Sequence, residues 1–179
     1  MKSFQEQLSN IGETLFPDLE KVGVFVDSAN VYHSAKRQFG RNVSYQALLD
    51  KAVSGRRCVR AVAFVPETLN GEAFHKLLWK YGFEVFEKKA KRLPNGHVKA
   101  NADIELVTEA IKLKEEGVDT VVIISGDSDF IYFVKYLQEN GIKVEAAGIK
   151  GSVDKTLREV VDKFWWINDE MLMPMAGTA

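Results

Sequence analysis

The chain has 179 residues, 46% of them hydrophobic and 27% charged, the proportions of an ordinary globular domain long enough to bury one core. Its 24 Lys and Arg against 25 Asp and Glu leave a formal net charge of −1, which excludes attraction of the whole molecule to nucleic acid or an anionic membrane and requires any polyanion site to be a local patch. A single cysteine, Cys58, excludes an intramolecular disulfide framework and a Cys-rich zinc site, and within the apolar run from Cys58 to Val65 it reads as a buried core thiol.

In chain order, residues 3 to 16 first place Phe4, Leu8, Ile11 and Leu15 on one helical stripe. The polar face of that stripe is not basic, so it suits packing onto the body of the fold, or onto a second copy in a homodimer, better than onto a membrane. No run reaches the roughly 20 apolar residues of a membrane span, and no secretory signal pattern opens the sequence. We therefore expect a reducing, cytoplasmic setting.

Short apolar runs then recur at 22–26, 59–65, 83–86, 121–124 and 144–147. The near-continuous β-branched ones read as strands buried on both faces. Helical spacing lies between them, in Ile104, Val107 and Ile111 and again in Phe130, Phe133, Val134 and Leu137. Gly82, Gly117 and Gly141 each follow a helical stretch and precede a strand, as capping glycines do. This alternation predicts an α/β fold with a mostly parallel central sheet flanked by helices. The expected organisation is an N-terminal helical extension over 1–20, one domain over 21–168 and a frayed tail over 169–179.

Acids fall at informative places in that frame. Asp27 ends the first strand, in Val24-Phe25-Val26-Asp27-Ser28-Ala29-Asn30, and Asp127 and Asp129 follow the fourth, in Ile124-Ser125-Gly126-Asp127-Ser128-Asp129-Phe130. Parallel α/β sheets bind ligands beyond the carboxyl ends of their strands, so these acids should share one edge. Asp103 opens the next helix before the fourth strand. Each acid alone has a plain explanation as a helix cap or first-turn acid. Together they would repel one another unless a cation neutralised them, and Mg²⁺ or Mn²⁺ with oxygen ligands does so. Asn30 can orient a ligand there or simply cap and pack its helix. Ser125 has the same two readings, and Gly126 is expected to let the chain turn tightly from strand to helix.

From Lys88 to Ala102 there is no acid, while Lys88, Lys89, Lys91, Arg92 and Lys99 bring five positive charges beside His97. Leu93-Pro94-Asn95-Gly96 marks a turn within this stretch. A basic loop beside the acids would hold a phosphate backbone; a solvated surface loop is the plain alternative. In Gly148-Ile149-Lys150-Gly151-Ser152, Lys150 and Ser152 are further candidate phosphate contacts. That segment lacks Walker spacing, and His33, His75 and His97 lack the spacing of a metal site or triad.

On Asp27-x-x-Asn30, Asn101-Ala102-Asp103 at a helix start, and Ser125-Gly126-Asp127-Ser128-Asp129-Phe130 after an apolar strand, the sequence resembles the NYN domain family of PIN-like nucleases, and within it the bacterial LabA-like group. The resemblance runs from about residue 20 to 168. It implies a Rossmann-like PIN fold and Mg²⁺- or Mn²⁺-dependent cleavage of RNA, single-stranded RNA being the expected partner. Asp27, Asp103, Asp127 and Asp129 are the matched metal positions, and with Asn30 they form the expected catalytic set; occupancy by one metal or two stays open. Relatives often carry Lys-Gly just before the central dipeptide, where this chain reads Lys99-Ala100-Asn101-Ala102-Asp103. Some members of the family are known mainly as regulators, so a catalytically weak RNA-binding module is the second expectation. A phosphatase forming an aspartyl-phosphate on Asp27 is disfavoured, because Ala29 stands where its second Asp belongs.

Overall fold

The computed structural model describes residues 19–69, 71–88, 91–92, 98–99 and 103–174, and only the backbone of Thr68, 91–92, 98–99, 103–107 and Ala110. The N-terminal stripe, Lys89, the Leu93–Gly96 turn, His97, the Asn101-Ala102 dipeptide and the residues after Pro174 lie outside the described residues.

Strand β1 (Lys21–Asp27) leads into α1 (Ser28–Phe39) and α2 (Tyr45–Val53), and β2 (Arg57–Pro66) leads into α3 (Glu72–Lys80). After β3 (Glu84–Lys88) come the short β4 (Lys91–Arg92) and β5 (Val98–Lys99), then α4 (Asp103–Glu115). The remainder alternates as β6 (Thr120–Ile124), α5 (Ile131–Glu139), β7 (Lys143–Gly148), α6 (Lys155–Val160) and β8 (Lys163–Trp166). Six strands form one sheet in the order β3-β2-β1-β6-β7-β8, and each neighbouring pair is parallel. The basic stretch, expected as a plain loop, instead pairs β4 with β5 in an antiparallel ladder.

The central strands are buried on both faces, as their unbroken apolar strings predict. Val24, Val26, Val122 and Ile124 join the core beneath α1, α2 and α3. Phe25, Val121 and Ile123 meet Phe130, Phe133, Val134 and Leu137 on the opposite face, so the α5 stripe packs as its period predicts. Gly82, Gly117 and Gly141 adopt φ of 86°, 67° and 77°, the left-handed region in which a helix-terminating residue is best a glycine. Among the described residues no helix is long and apolar enough to cross a membrane.

Two expectations about faces are corrected. Cys58 is exposed, because only Ala61 to Val65 of β2 are covered on both sides, while the residues before them are partly open. On α4, Ile111 is 46% exposed whereas Glu109 and Leu113 are buried. Tertiary pairing overrides the apolar stripe: Arg60 of β2 donates two hydrogen bonds to Glu84, at 2.9 and 2.6 Å, and places Nη1 2.5 Å from Glu109 Oε2. A glutamate turned toward that guanidinium fixes the helix face that enters the core, since a buried charge demands a partner.

Candidate active site

Adjacency of β1 and β6 brings the two best acids to one edge of the sheet. Asp27 is the last residue of β1, paired along its length with β6, and Asp127 follows β6 after Ser125 and Gly126. Both begin a helical turn, and both use Oδ1 to cap it: Asp27 accepts from the Asn30 N–H at 3.2 Å and Asp127 from the Asp129 N–H at 3.0 Å. The plain capping explanation is therefore realised at each, yet it occupies one oxygen and leaves Oδ2 outside the bond. Asp27 is only 6% exposed, unusual for a carboxylate whose sole task is to cap.

The two loops are tied to each other. Asn30 Oδ1 accepts the Gly126 N–H at 2.9 Å, so the first turn of α1 holds the β6–α5 connection. Ser125 Oγ accepts the Asp127 N–H at 3.1 Å, and the Asp154 N–H donates to the Gly126 carbonyl at 2.9 Å. Gly126 earns its place by close approach: an added Cβ would overlap the Ser152 carbonyl oxygen and lie 2.9 Å from Val153 Cα. The reason differs from the tight turn expected of it, and it comes from a loop 26 positions away. Ser152 itself is turned inward, its hydroxyl donating to the Ile149 carbonyl at 2.8 Å, while Lys150 is exposed on the same loop.

The second half of α4 lies against β1 and β2. Leu113 packs on Gly23, whose added Cβ would meet Leu113 Cδ2 at 2.8 Å, and Glu109 reaches Arg60, the residue registered opposite Gly23. Among the described residues, however, no three His, Cys, Asp or Glu side chains converge closely enough to hold a metal ion. Asp129 is exposed, so Asp27, Asp127 and Asp129 do not complete a metal site by themselves, and the Asp103 carboxylate lies outside the described side chains.

One residue at the site, Tyr45, carries no sequence signal of it, and another, Lys88, stands elsewhere than in the loop expected for it. Tyr45 is buried beside Asp27, and its phenol is pushed up to about 12, first by burial and further by the Asp27 charge. Lys88, expected in the basic loop, ends β3 with its Nζ 3.7 Å from Asp27 Oδ2. Its ammonium lies 5.3 Å from the Phe64 ring centroid and 5.9 Å from that of Phe130. Tyr45 also lines a cavity of about 230 Å³, together with Tyr32, Phe74 and Leu77. Among the described residues no charged side chain lines it, so it does not suit a phosphodiester.

Asp27 and Asp127 offer carboxylate oxygens, the ligand type that a hard divalent ion takes, while the cation facing the uncapped oxygen of Asp27 is Lys88. The structure superposes with a TM-score of 0.77 on a protein of unknown function, VPA0982, from Vibrio parahaemolyticus RIMD 2210633, which is 27% identical over 97% of this chain and 100% of its own. A PLP-bound protein from Clostridium difficile 630 aligns over 74% of this chain and 39% of its own at 9% identity and a TM-score of 0.32, below the level of a shared fold. No functionally curated protein matches. A family model, the NYN domain, matches residues 21–168, and with that match spanning most of its length the chain belongs to the NYN domain family, within the PIN-like nuclease superfamily.

Proposed function

We propose that this chain is a metal-dependent endoribonuclease that hydrolyses phosphodiester bonds of single-stranded RNA. The observation that carries the reading is a nearly buried carboxylate, Asp27, at the carboxyl end of a central parallel strand, cross-linked through Asn30 and Gly126 to the loop that presents Asp127. Asp27, Asp127, Asp129 and Asp103 would hold Mg²⁺ or Mn²⁺, which when bound supplies Lewis acidity and an activated water. The chain's own residues do the positioning. Capping bonds lock one oxygen of Asp27 and of Asp127, and Asn30 keeps the two loops in register, the kind of rigid support a catalytic constellation needs. Lys89, Lys91, Arg92, Lys99 and Lys150 provide local positive charge for the phosphate backbone on a protein with none overall. Tyr132, 84% exposed in the first turn of α5, offers a face on which a base can stack.

A catalytically weak RNA-binding module is the second reading, favoured by the ion pair of Lys88 with Asp27, which offsets that carboxylate's charge without a metal. One assay separates the two. Single-stranded RNA should be cleaved in Mn²⁺, with Asp27→Asn and Asp127→Asn each slowing cleavage on the order of 100-fold or more while the fold persists. A DNA strand of the same sequence tests the sugar preference. Equal cleavage by all three proteins would betray a contaminant and sink the proposal, and RNA binding without any cleavage would select the second reading.

A further inference from the structure

Lys88 does not behave as part of a solvated charge run. It ends β3, two strands away from Asp27, with β2 between; Phe64 of β2 is registered opposite both Asp27 and Phe86. Its side chain crosses back over the Phe64 ring to reach Asp27, and it is only 16% exposed. Withdrawing an ammonium from water is unfavourable unless opposite charge and ring faces compensate. Here both are supplied, by Asp27 on one side and by Phe64 and Phe130 on the others. Asp27 has the reciprocal problem. With Oδ1 bonded to the Asn30 N–H, the cation near its Oδ2 among the described residues is Lys88.

We propose that Lys88 is a resident counter-cation of Asp27 that a divalent ion must displace, so that this lysine sets how tightly the protein binds metal. The inference rests on reading Asp27 as a metal ligand. An ion at Oδ2 would bring two positive charges up against a third at close range inside a partly desolvated pocket, where Coulomb repulsion is poorly screened. Occupancy by the ammonium and by the ion is then mutually unfavourable, and that coupling is reciprocal: the metal expels the lysine as strongly as the lysine resists the metal. Lysine is suited to the exchange, being a compact charge on a flexible four-carbon stem. The separation of 3.7 Å is an ion pair without a hydrogen bond, which leaves the ammonium free to move off.

Two measurements on the full chain test this without reference to turnover. Mn²⁺ binding is titrated by the electron paramagnetic resonance signal of the free ion, and thermal melting is recorded in chelator and in millimolar Mn²⁺. The proteins are wild type, Lys88→Met, whose stem can still pack on the two rings, and Lys88→Arg, which keeps the charge. Lys88→Met should bind Mn²⁺ about fivefold tighter or more, melt below wild type in chelator, and close that gap in Mn²⁺; Lys88→Arg should track wild type. Lys88→Gln gives the same comparison if methionine disturbs the packing. Mn²⁺ that binds wild type and the neutral variants equally, or the neutral variants more weakly, overturns the role of Lys88 and leaves the metal reading standing. Mn²⁺ that neither binds nor shifts the melting of any variant overturns both.

Discussion

Replacing Asn30 with Ala removes the acceptor for the Gly126 N–H and should loosen both aspartate loops at once. Gly126 is buried, and its N–H points at Asn30 Oδ1 at 2.9 Å; the donor on the other side also settles which end of the amide faces it. A buried donor left unpaired costs about 1–3 kcal/mol, and alanine in a first helical turn returns roughly 0.5 kcal/mol of helix propensity. The net loss should be about 0.5–2.5 kcal/mol, which for a chain of this size lowers the melting temperature by roughly 1–10 °C. Cleavage should fall more steeply than stability, roughly 10- to 100-fold, because misplacing supports by an ångström is felt in the transition state. Asn30→Asp keeps an oxygen acceptor and should melt above Asn30→Ala in millimolar Mn²⁺. The assays are thermal melting and single-turnover cleavage of a labelled RNA. Asn30→Ala within about 0.5 kcal/mol of wild type, with unchanged cleavage, would show that the cross-link does not organise the site.

Other consequences follow from the buried charges. Tyr45 is pushed from 10.0 up to about 12, so the folded protein holds that proton more tightly than the unfolded chain does. Stability should decline as pH rises through this window, by about 1.4 kcal/mol at pH 11. Tyr45→Phe should flatten that decline in urea titrations at pH 8 and 11, and identical slopes for the two proteins would refute the assignment. Arg60→Met should cost about 3–5 kcal/mol, because Glu109, 1% exposed, loses its guanidinium; Glu109→Gln in that background should restore part of it. A loss below about 1 kcal/mol in denaturant melts would reduce the pair to a surface bridge.

Much of the sheet was legible because burial on both faces leaves a local mark. Val24-Phe25-Val26 and Val121-Val122-Ile123-Ile124 are apolar throughout, and only a strand with helices above and below tolerates that pattern. Strand β8 left no such mark. Lys163-Phe164-Trp165-Trp166 is short, at the sheet edge and only partly covered, so the residues alone did not announce it. The edge that carries Asp27 and Asp127 was also legible, since strand ends and short glycine-containing turns are local features.

What the sequence determined by itself is the alternation of elements, the parallel sheet and the positions along the chain at which acids meet strand ends; all of these depend on neighbours within a few residues. Tertiary structure alone decided which way the charged side chains turn. Glu109 enters the core because Arg60 waits there, Gly126 is glycine because Ser152 presses on it, and Lys88 leaves its run of basic neighbours because Asp27 stands two strands away. A charge is buried only where its counter-charge is brought to it, and that depends on strand order and register, which no local pattern encodes.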